Sequence, residues 1–311
     1  MTTPHLVKKQ LILAKIETSY GVDPTPTGAA NAILMQNLSV KPISPTIVKR
    51  NVLKGFLGAQ PQMLADVHSE ISFEVEIAGS GTAGTAPAYG PLLRACALSE
   101  TISAGSSVTY APVSSAFESV TIYYFADGVL HKMRGCLGTV QFDFTAKKVP
   151  VAKFTMTGLY NTPTDTANPT AVYTGFKIPK VVSNANTTGF NFNGYAGHMM
   201  SLTLDLKNSV QYRTLVGVEY VQITDHDCGG ACEFEMPSIA DANLYDQAIS
   251  QTVSTLALQH GTTAGNICTI SSSKLIIVEP TLKEDNDVLM LSFTYGLVPD
   301  AAGNDVSIIF T

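Results

Sequence analysis

Tryptophan is absent from the 311-residue chain, and charged side chains make up only 14% of it, against roughly 25% in an average soluble domain. The missing tryptophan counts against a sugar-binding surface, which leans on clustered exposed aromatics. The low charge is unusual for a free monomer and suits a chain whose surface is largely covered by copies of itself; a secreted β protein has a similar composition. Cysteine occurs as an odd five (Cys96, Cys136, Cys228, Cys232 and Cys268), which does not describe a disulfide framework and reads as reduced, buried thiols. No apolar run approaches the 18 or more residues of a membrane helix, so no membrane partner is expected. Lys8 and Lys9 precede a short apolar stretch that Lys15 and Glu17 interrupt. A signal peptide is therefore not expected, and the protein is expected to stay in the cytoplasm that makes it.

Catalytic signatures are missing as well. There is no G-x-S-x-G elbow, H-E-x-x-H helix or P-loop, and His5, His68, His131, His198 and His260 are scattered without a paired signature. The glycines of GSGTAGTAPAYG, Gly79 to Gly90, run into no long helix that could hold a phosphate. The most site-like cluster is ITDHDCGGACEFE, with His226, Asp227, Cys228 and Cys232. A Cys-x3-Cys pair without a second pair at zinc spacing is weak, and a Gly-Gly turn between strands explains it more simply. Glu74/Glu76 and Glu233/Glu235 each share one strand face, which solvent-facing alternation accounts for. No catalytic, cofactor-binding or metal-binding residue is assigned.

Charge is unevenly spread. Up to Asp165 the chain holds 13 Lys and Arg against 11 Asp and Glu; from Thr166 onward it holds 6 against 14. The halves are therefore +2 and −8, within a total of −6. No basic stripe is present for gripping nucleic acid.

What the sequence does have is period-two alternation. GTVQFDFTAKKVPVAKFTMTGLY, Gly138 to Tyr160, places Val140, Phe142, Phe144, Phe154 and Met156 on one side and Gln141, Asp143, Lys153, Thr155 and Thr157 on the other. SSKLIIVEPTLKEDNDVLMLSFTYGLV, Ser272 to Val298, repeats the design, with Leu289, Leu291 and Phe293 opposite Met290, Ser292 and Thr294. Such alternation marks half-buried antiparallel strands. Other elements recur in order: SFEVEIA is answered by CEFEMPS, the short helix in PLLRACALSE by IADANLYDQAISQ, and Asp127-Gly128 by His260-Gly261. Aligning Phe73 with Phe234 and Phe154 with Leu291 requires insertions and deletions between the copies. The fold class is mainly β: two tandem β-sandwich or barrel folds, each with one short flanking helix.

The organisation read from these signals is an extended N-terminal arm over 1–59, a first β domain over 60–160, a polar Pro/Thr linker over 161–174 and a second β domain over 175–311. Within the arm, Pro24, Pro26 and nearby turn formers exclude a helix. The ILMQNLSVKP strand ends at Pro42, and Ile43 to Gly58 reads as a solvated loop.

The arm also carries a resemblance. LAKIETSYGVDPTPTGAANAILMQNLSVKP followed by KRNVLKGFLG, then SFEVEIAG, FADGVLHKMRGCLGTVQF and FTMTGLY, resembles the tail tube (major tail) proteins of long-tailed, non-contractile bacteriophages. The likeness covers the first half, and reaches the second only through the duplication. It implies a structural virion protein and no enzyme. In that family six folds form each ring, and inner sheets join around a lumen that conducts DNA and the tape-measure protein. With two folds per chain, three chains would give a pseudo-hexameric ring. Implied partners are copies of itself, the tape-measure protein, and tail terminator and distal tail proteins; DNA passes without specific binding. The implied location is the virion tail, assembled in the host cytoplasm. Candidate lumen-facing residues are Gln141, Asp143, Lys153, Thr155, Thr157, Ser292 and Thr294. Candidate inter-subunit or inter-ring loops carry Lys49, Arg50, Lys54, Lys147, Lys148, Glu284, Asp285 and Asp287. The alternatives are a tube subunit of a contractile tail or secretion system, which single-fold subunits and a sheath would mark, and a β-sandwich decoration or carbohydrate-binding module.

Overall fold

The alternating segments form strands throughout. A computed structural model describes residues 4–311, and its architecture is mainly β. The first half contributes β1 (Gln10–Ile16), α1 (Gly28–Asn31), β2 (Ala32–Ile33), β3 (Gln36–Lys49), β4 (Gln62–Glu76), α2 (Gly90–Ala95), β5 (Leu98–Ser103), β6 (Ser107–Pro112), β7 (Val120–Ala126), β8 (Val129–Thr145), β9 (Val151–Tyr160) and β10 (Thr164–Asp165). The second contributes β11 (Asn191–Phe192), β12 (Met199–Asp205), β13 (Asn208–Leu215), β14 (Val218–His226), β15 (Gly229–Glu235), α3 (Leu244–Ile249), β16 (Ser254–His260), β17 (Cys268–Asp285), β18 (Val288–Leu297) and β19 (Ser307–Phe310).

Strand pairing follows one scheme twice. In the first half β3, β4, β9 and β8 lie side by side; in the second, β12, β15, β18 and β17 do. The outer layers also match. β1 pairs with β7 and β7 with β8, as β11 pairs with β16 and β16 with β17. The short β10 returns to the start of β8 as β19 returns to the start of β17. α2 and α3 occupy the same place in the order. The ladders end alike, with Ile77 N–H donating to Pro150 O and Met236 N–H to Leu289 O. This sets Phe73 against Cys232 and Phe154 against Phe293, two residues away from the alignment of Phe73 with Phe234. A slip of two preserves every side-chain face, so the hydrophobic pattern alone does not distinguish the two registers.

The four-stranded sets are joined. β8 pairs antiparallel with β12, Gln141 opposite Asp205, Phe142 opposite Leu204 and Phe144 opposite Leu202. The result is one continuous sheet of eight strands in the order β3-β4-β9-β8-β12-β15-β18-β17. Its inner face carries Phe73, Phe142, Phe144, Phe154, Leu202, Leu204, Phe234 and Phe293, all at most 2% exposed, in a single cluster that spans both halves. Burying each such side chain stabilises by about 1.5–3 kcal/mol. β6 pairs with the C-terminal β19, so the β5-β6 hairpin of the first half completes the outer layer of the second.

Two expectations are corrected. β3 does not stop at Pro42 but continues to Lys49, so Ile43 to Lys49 is strand and only the rest of the expected loop, to Gly58, is not. Its pairing with β4 shifts around Lys41, Ser44 and Thr46, and proline is tolerated in an edge strand with such bulges because its missing N–H faces no partner. A one-turn helix, α1, forms two residues after Pro26 in the stretch where no helix was expected. HMMSLTLDLKNSV is two strands, broken at Lys207 (φ 47°), where β12 leaves the long sheet and β13 begins a separate hairpin with β14. The 161–174 stretch holds β10 and lies along the first half: Val172 N–H donates to Gly28 O, and a Cβ on Gly28 would meet Thr170 O at 2.3 Å.

Candidate functional site: a polar sheet face between two open edges

Because strand side chains alternate, burying one face of the eight-stranded sheet turns the opposite side chains outward together. Glu70, Glu74, Glu76, Asp143, Asp205, Glu233 and Glu235 stand on that outer face beside Lys41, Lys153 and Lys283, with Ser72, Thr139, Gln141, Thr155, Thr203 and Thr294 between them. Each of these lysines is matched across strands. Lys41 lies 2.8 Å from Glu70, Lys153 lies 3.9 Å from Glu74 and 3.7 Å from Asp143, and Lys283 lies 2.9 Å from Glu233. The hydrogen bond from Lys41 leads in holding the Glu70 carboxyl below its ordinary range, against partial burial and with Ser44 assisting. With acids outnumbering bases, the face is acidic on balance.

All seven lumen candidates fall on this face. Gln141, Asp143, Lys153 and Thr157 are half-buried, and Thr155 and Thr294 are exposed. Ser292 differs: it is only 9% exposed. It lies on β18 between Glu233 of β15 and Thr281 of β17, and the Lys283–Glu233 ion pair reaches over β18 at this point. Two shallow concavities open on the face. One is lined by Asn37, Glu74, Gln141, Lys153 and Asp205, the other by Gln141, Thr203, Asp205, Thr294 and Gly296.

Two edges bound the sheet. Among the described residues β3 pairs only with β4, and β17 beyond Leu275 pairs only with β18. Leu282 on the β17 edge is 54% exposed, whereas Phe142, at the matching position of β8, is fully buried against β12. An apolar side chain beside unpaired backbone groups is a template for another strand.

The loop candidates lie at the ends of the strands and in the turns: Lys49 closes β3, Glu284 and Asp285 close β17, and the others sit in the connections. Lys49, Arg50 and Lys54 are exposed at the end of the β3–β4 hairpin. That hairpin is apolar as well as basic, with Ile47, Leu53, Phe56, Leu57 and Leu64 exposed. Lys147 and Lys148 are exposed in the β8–β9 turn, whose backbone exchanges hydrogen bonds with Val182. Glu284 and Asp287 are exposed and Asp285 half-buried around the β17–β18 turn, a two-residue turn with Asn286 and Asp287 at positive φ.

The residues of the N-terminal motif act as ties. The Glu17 carboxylate, 7% exposed, accepts hydrogen bonds from Gly21 N–H (2.7 Å), Ser119 Oγ (2.6 Å), Thr121 Oγ1 (2.5 Å) and Gly135 N–H (2.7 Å). Every lone-pair direction is used, which is what lets a carboxylate sit inside a β core. Tyr20 lies over Gly135 (φ 58°), where a Cβ would come within 2.6 Å of its ring, and Tyr20 Oη accepts the Val221 N–H from β14. Burial favours the neutral form of Asp23, yet bonds from Tyr123, Thr25 N–H and Lys132 prevail and its pKa is lowered.

The two cysteines of the Cys-x3-Cys pair pack into the main core. Cys228 and Cys232 are buried, and burial pushes both thiols well up. His226 turns away to Asp305 at 2.5 Å. No group of three or more His, Cys, Asp or Glu side chains that could hold a metal occurs among the described residues, and no helix among them is long and apolar enough to cross a membrane.

Sequence reasoning missed the β8·β12 joint and the β19·β6 pair. Both link residues far apart in the chain, and backbone pairing leaves no mark on composition. The exposed Leu282 was the available signal: an apolar residue in the one charged segment of an otherwise alternating strand. A comparison with curated proteins finds no match. A family model described as phage tail tube protein matches residues 8–296.

Proposed function

The chain belongs to the phage tail tube protein family, a structural family of the virion tail, and from that membership we propose that three copies close into one ring by continuing the eight-stranded sheet from chain to chain. The carrying observation is the β8·β12 joint. It already fuses two equivalent four-stranded sets, and it leaves at the ends of the sheet the same two kinds of edge, β17 and β3, that it consumes in the middle. Repeating it would pair β17 of one copy with β3 of the next. Gln141–Asp205 would be matched by Thr281–Lys41, Phe142–Leu204 by Leu282–Val40, and Asp143–Thr203 by Lys283–Ser39. Closing the sheet removes the edges altogether, the logic of any barrel.

In such a ring the polar face is the lumen wall, with Gln141, Asp143, Lys153, Thr155, Thr157 and Thr294 along it and Ser292 beneath the Lys283–Glu233 bridge. An acidic wall on which Lys41, Lys153 and Lys283 are already paired, and on which Lys207 stands exposed beside Asp205 and Asp227, repels DNA phosphates on balance, so DNA slides through during ejection without being held. Rings stack through their loops, where Lys147, Lys148, Glu284, Asp285 and Asp287 face a neighbouring ring. Two folds per chain favour a long, non-contractile tail over a contractile or secretion tube. Tape-measure, terminator and distal tail proteins are the corresponding partners, and assembly takes place in the host cytoplasm. Electron microscopy of the purified protein with native mass measurement tests this: rings of three chains are expected, and rings of six full-length chains overturn it.

A further inference from the structure

The two repeats treat one element in opposite ways. Between β12 and β15 the chain runs out into the β13-β14 hairpin, which folds back across the joint and lies on the wall of the first repeat. Val221 and Ile223 are buried there against Ala97, Leu137 and Leu159. Asn208 Nδ2 donates to Cys96 O (2.8 Å) and Gly138 O (2.9 Å), and His68 stacks on Tyr212 at 4.7 Å. The corresponding excursion of the first repeat, the far part of the β3–β4 hairpin, touches nothing of the kind. Ile47 pairs with Leu64 as Val210 pairs with Ile223, yet Ile47 is 51% and Leu64 60% exposed.

The wall that would receive it is uncovered in the second repeat. By strand register, Leu137 and Leu159 correspond to Ile276 and Val298, which are half-buried. Ala97 follows the cap of α2 at φ 61°, and Gln251 follows the cap of α3 at φ 51°; Ala97 is 4% exposed, whereas Gln251 is exposed, as is the nearby Val253. Charge agrees. The arm carries Lys49, Arg50 and Lys54, and the elements of the wall carry the exposed Asp246 and Glu279.

We infer that the β3–β4 hairpin of each copy docks through Ile47 and Leu64 onto the Gln251, Ile276 and Val298 wall of the neighbouring copy whose β17 receives its β3. The occupant is a second copy of this chain. The inference rests on the ring reading, because the arm reaches that wall only when the two edges pair. The geometry is the β13-β14 docking repeated between chains, so the contact is lateral and within one ring. Its apolar surface also gives a reason for the arm, since an uncovered strip of this kind is otherwise an aggregation hazard.

The test uses the full chain with Leu64→Cys and Ile276→Cys together, each single variant as control, and mild oxidation of assembled protein; the five native cysteines are buried and unbridged. A non-reducing ladder that stops at the trimer is expected for the double variant, with no ladder for either single. Intact tubes in the microscope without cross-links overturn the docking while leaving the ring reading in place. A ladder running far beyond three shows the arm reaching another ring and overturns the lateral contact. Wild-type protein that forms neither rings nor tubes removes the ring reading and the docking with it. Hydrogen exchange on unmodified protein covers the case of a variant that does not fold: amides of 46–64 and of 250–253 must gain protection together on assembly, and gain in neither segment overturns the docking.

Discussion

Phe142 and Leu282 occupy one position in two copies of one sheet, and their surroundings are opposite. Phe142 is sealed between β9 and β12, while Leu282 sits on the last strand with half its surface in water. The ion-pair bands differ in step. Across β4, β9 and β8 the first repeat sets Glu74, Lys153 and Asp143; across β15, β18 and β17 the second sets Glu233, Ser292 and Lys283. An internal joint is built for permanence, with aromatic cores on both sides. A terminal edge is built to be stable alone and to close on arrival of a partner.

The largest expected effect separates the two positions. Phe142→Ala empties a fully buried site and should cost about 3–5 kcal/mol in denaturant unfolding of the monomer. Glu17→Ala comes next, at about 3 kcal/mol, because it strands buried donors that now converge on one carboxylate; a loss below about 1 kcal/mol would show that water replaces it freely. Leu282→Ala should cost the monomer less than about 0.5 kcal/mol, yet raise the concentration needed for tubes in sedimentation assays. Equal destabilisation of the monomer by Leu282→Ala and Phe142→Ala would erase the contrast between joint and edge.

Acid should act unevenly. His260 is buried against the Phe144 ring, bonded to Thr187 and to Lys180 O, and burial lowers its pKa from 6.5; His131 shifts the same way for the same reason. A histidine that is harder to protonate when folded contributes stability above the unfolded value and loses it as pH falls from about 6.5 towards the folded one. Stability should therefore decline over that window and less steeply in His260→Asn, measured by thermal unfolding against pH. The depressed carboxyls of Asp23 and Glu70 fail only at lower pH. Lys283→Met should change monomer stability by no more than about 1 kcal/mol, since the Lys283–Glu233 pair lies at the surface, while exposing Ser292 to solvent exchange.

Much of the long sheet is legible from residue order. The alternation of Val140, Phe142 and Phe144, of Phe73 and Val75, and of Leu291 and Phe293 states which side chains go inward, and Asp127-Gly128 and Asn286-Asp287 mark where the chain reverses. The recurrence of these elements shows that the pattern occurs twice. What it leaves open is alignment, because a two-residue slip keeps every face intact, as with Phe73 set against Phe234 instead of Cys232. β3 beyond Pro42 was hidden for a different reason: proline signals a break, and only an open edge makes it harmless.

The sequence by itself determined the strands, their polar and apolar faces, the turns, and the acidic balance of the surface that remains outside. Tertiary structure alone decided that β8 meets β12, that β19 crosses to β6, and that one hairpin lies down while its counterpart stands free. The physical reason is that side-chain alternation is written locally, residue by residue. Strand partners are chosen by backbone groups that are alike in every residue but proline, so the choice falls to the packing of distant segments around a common core.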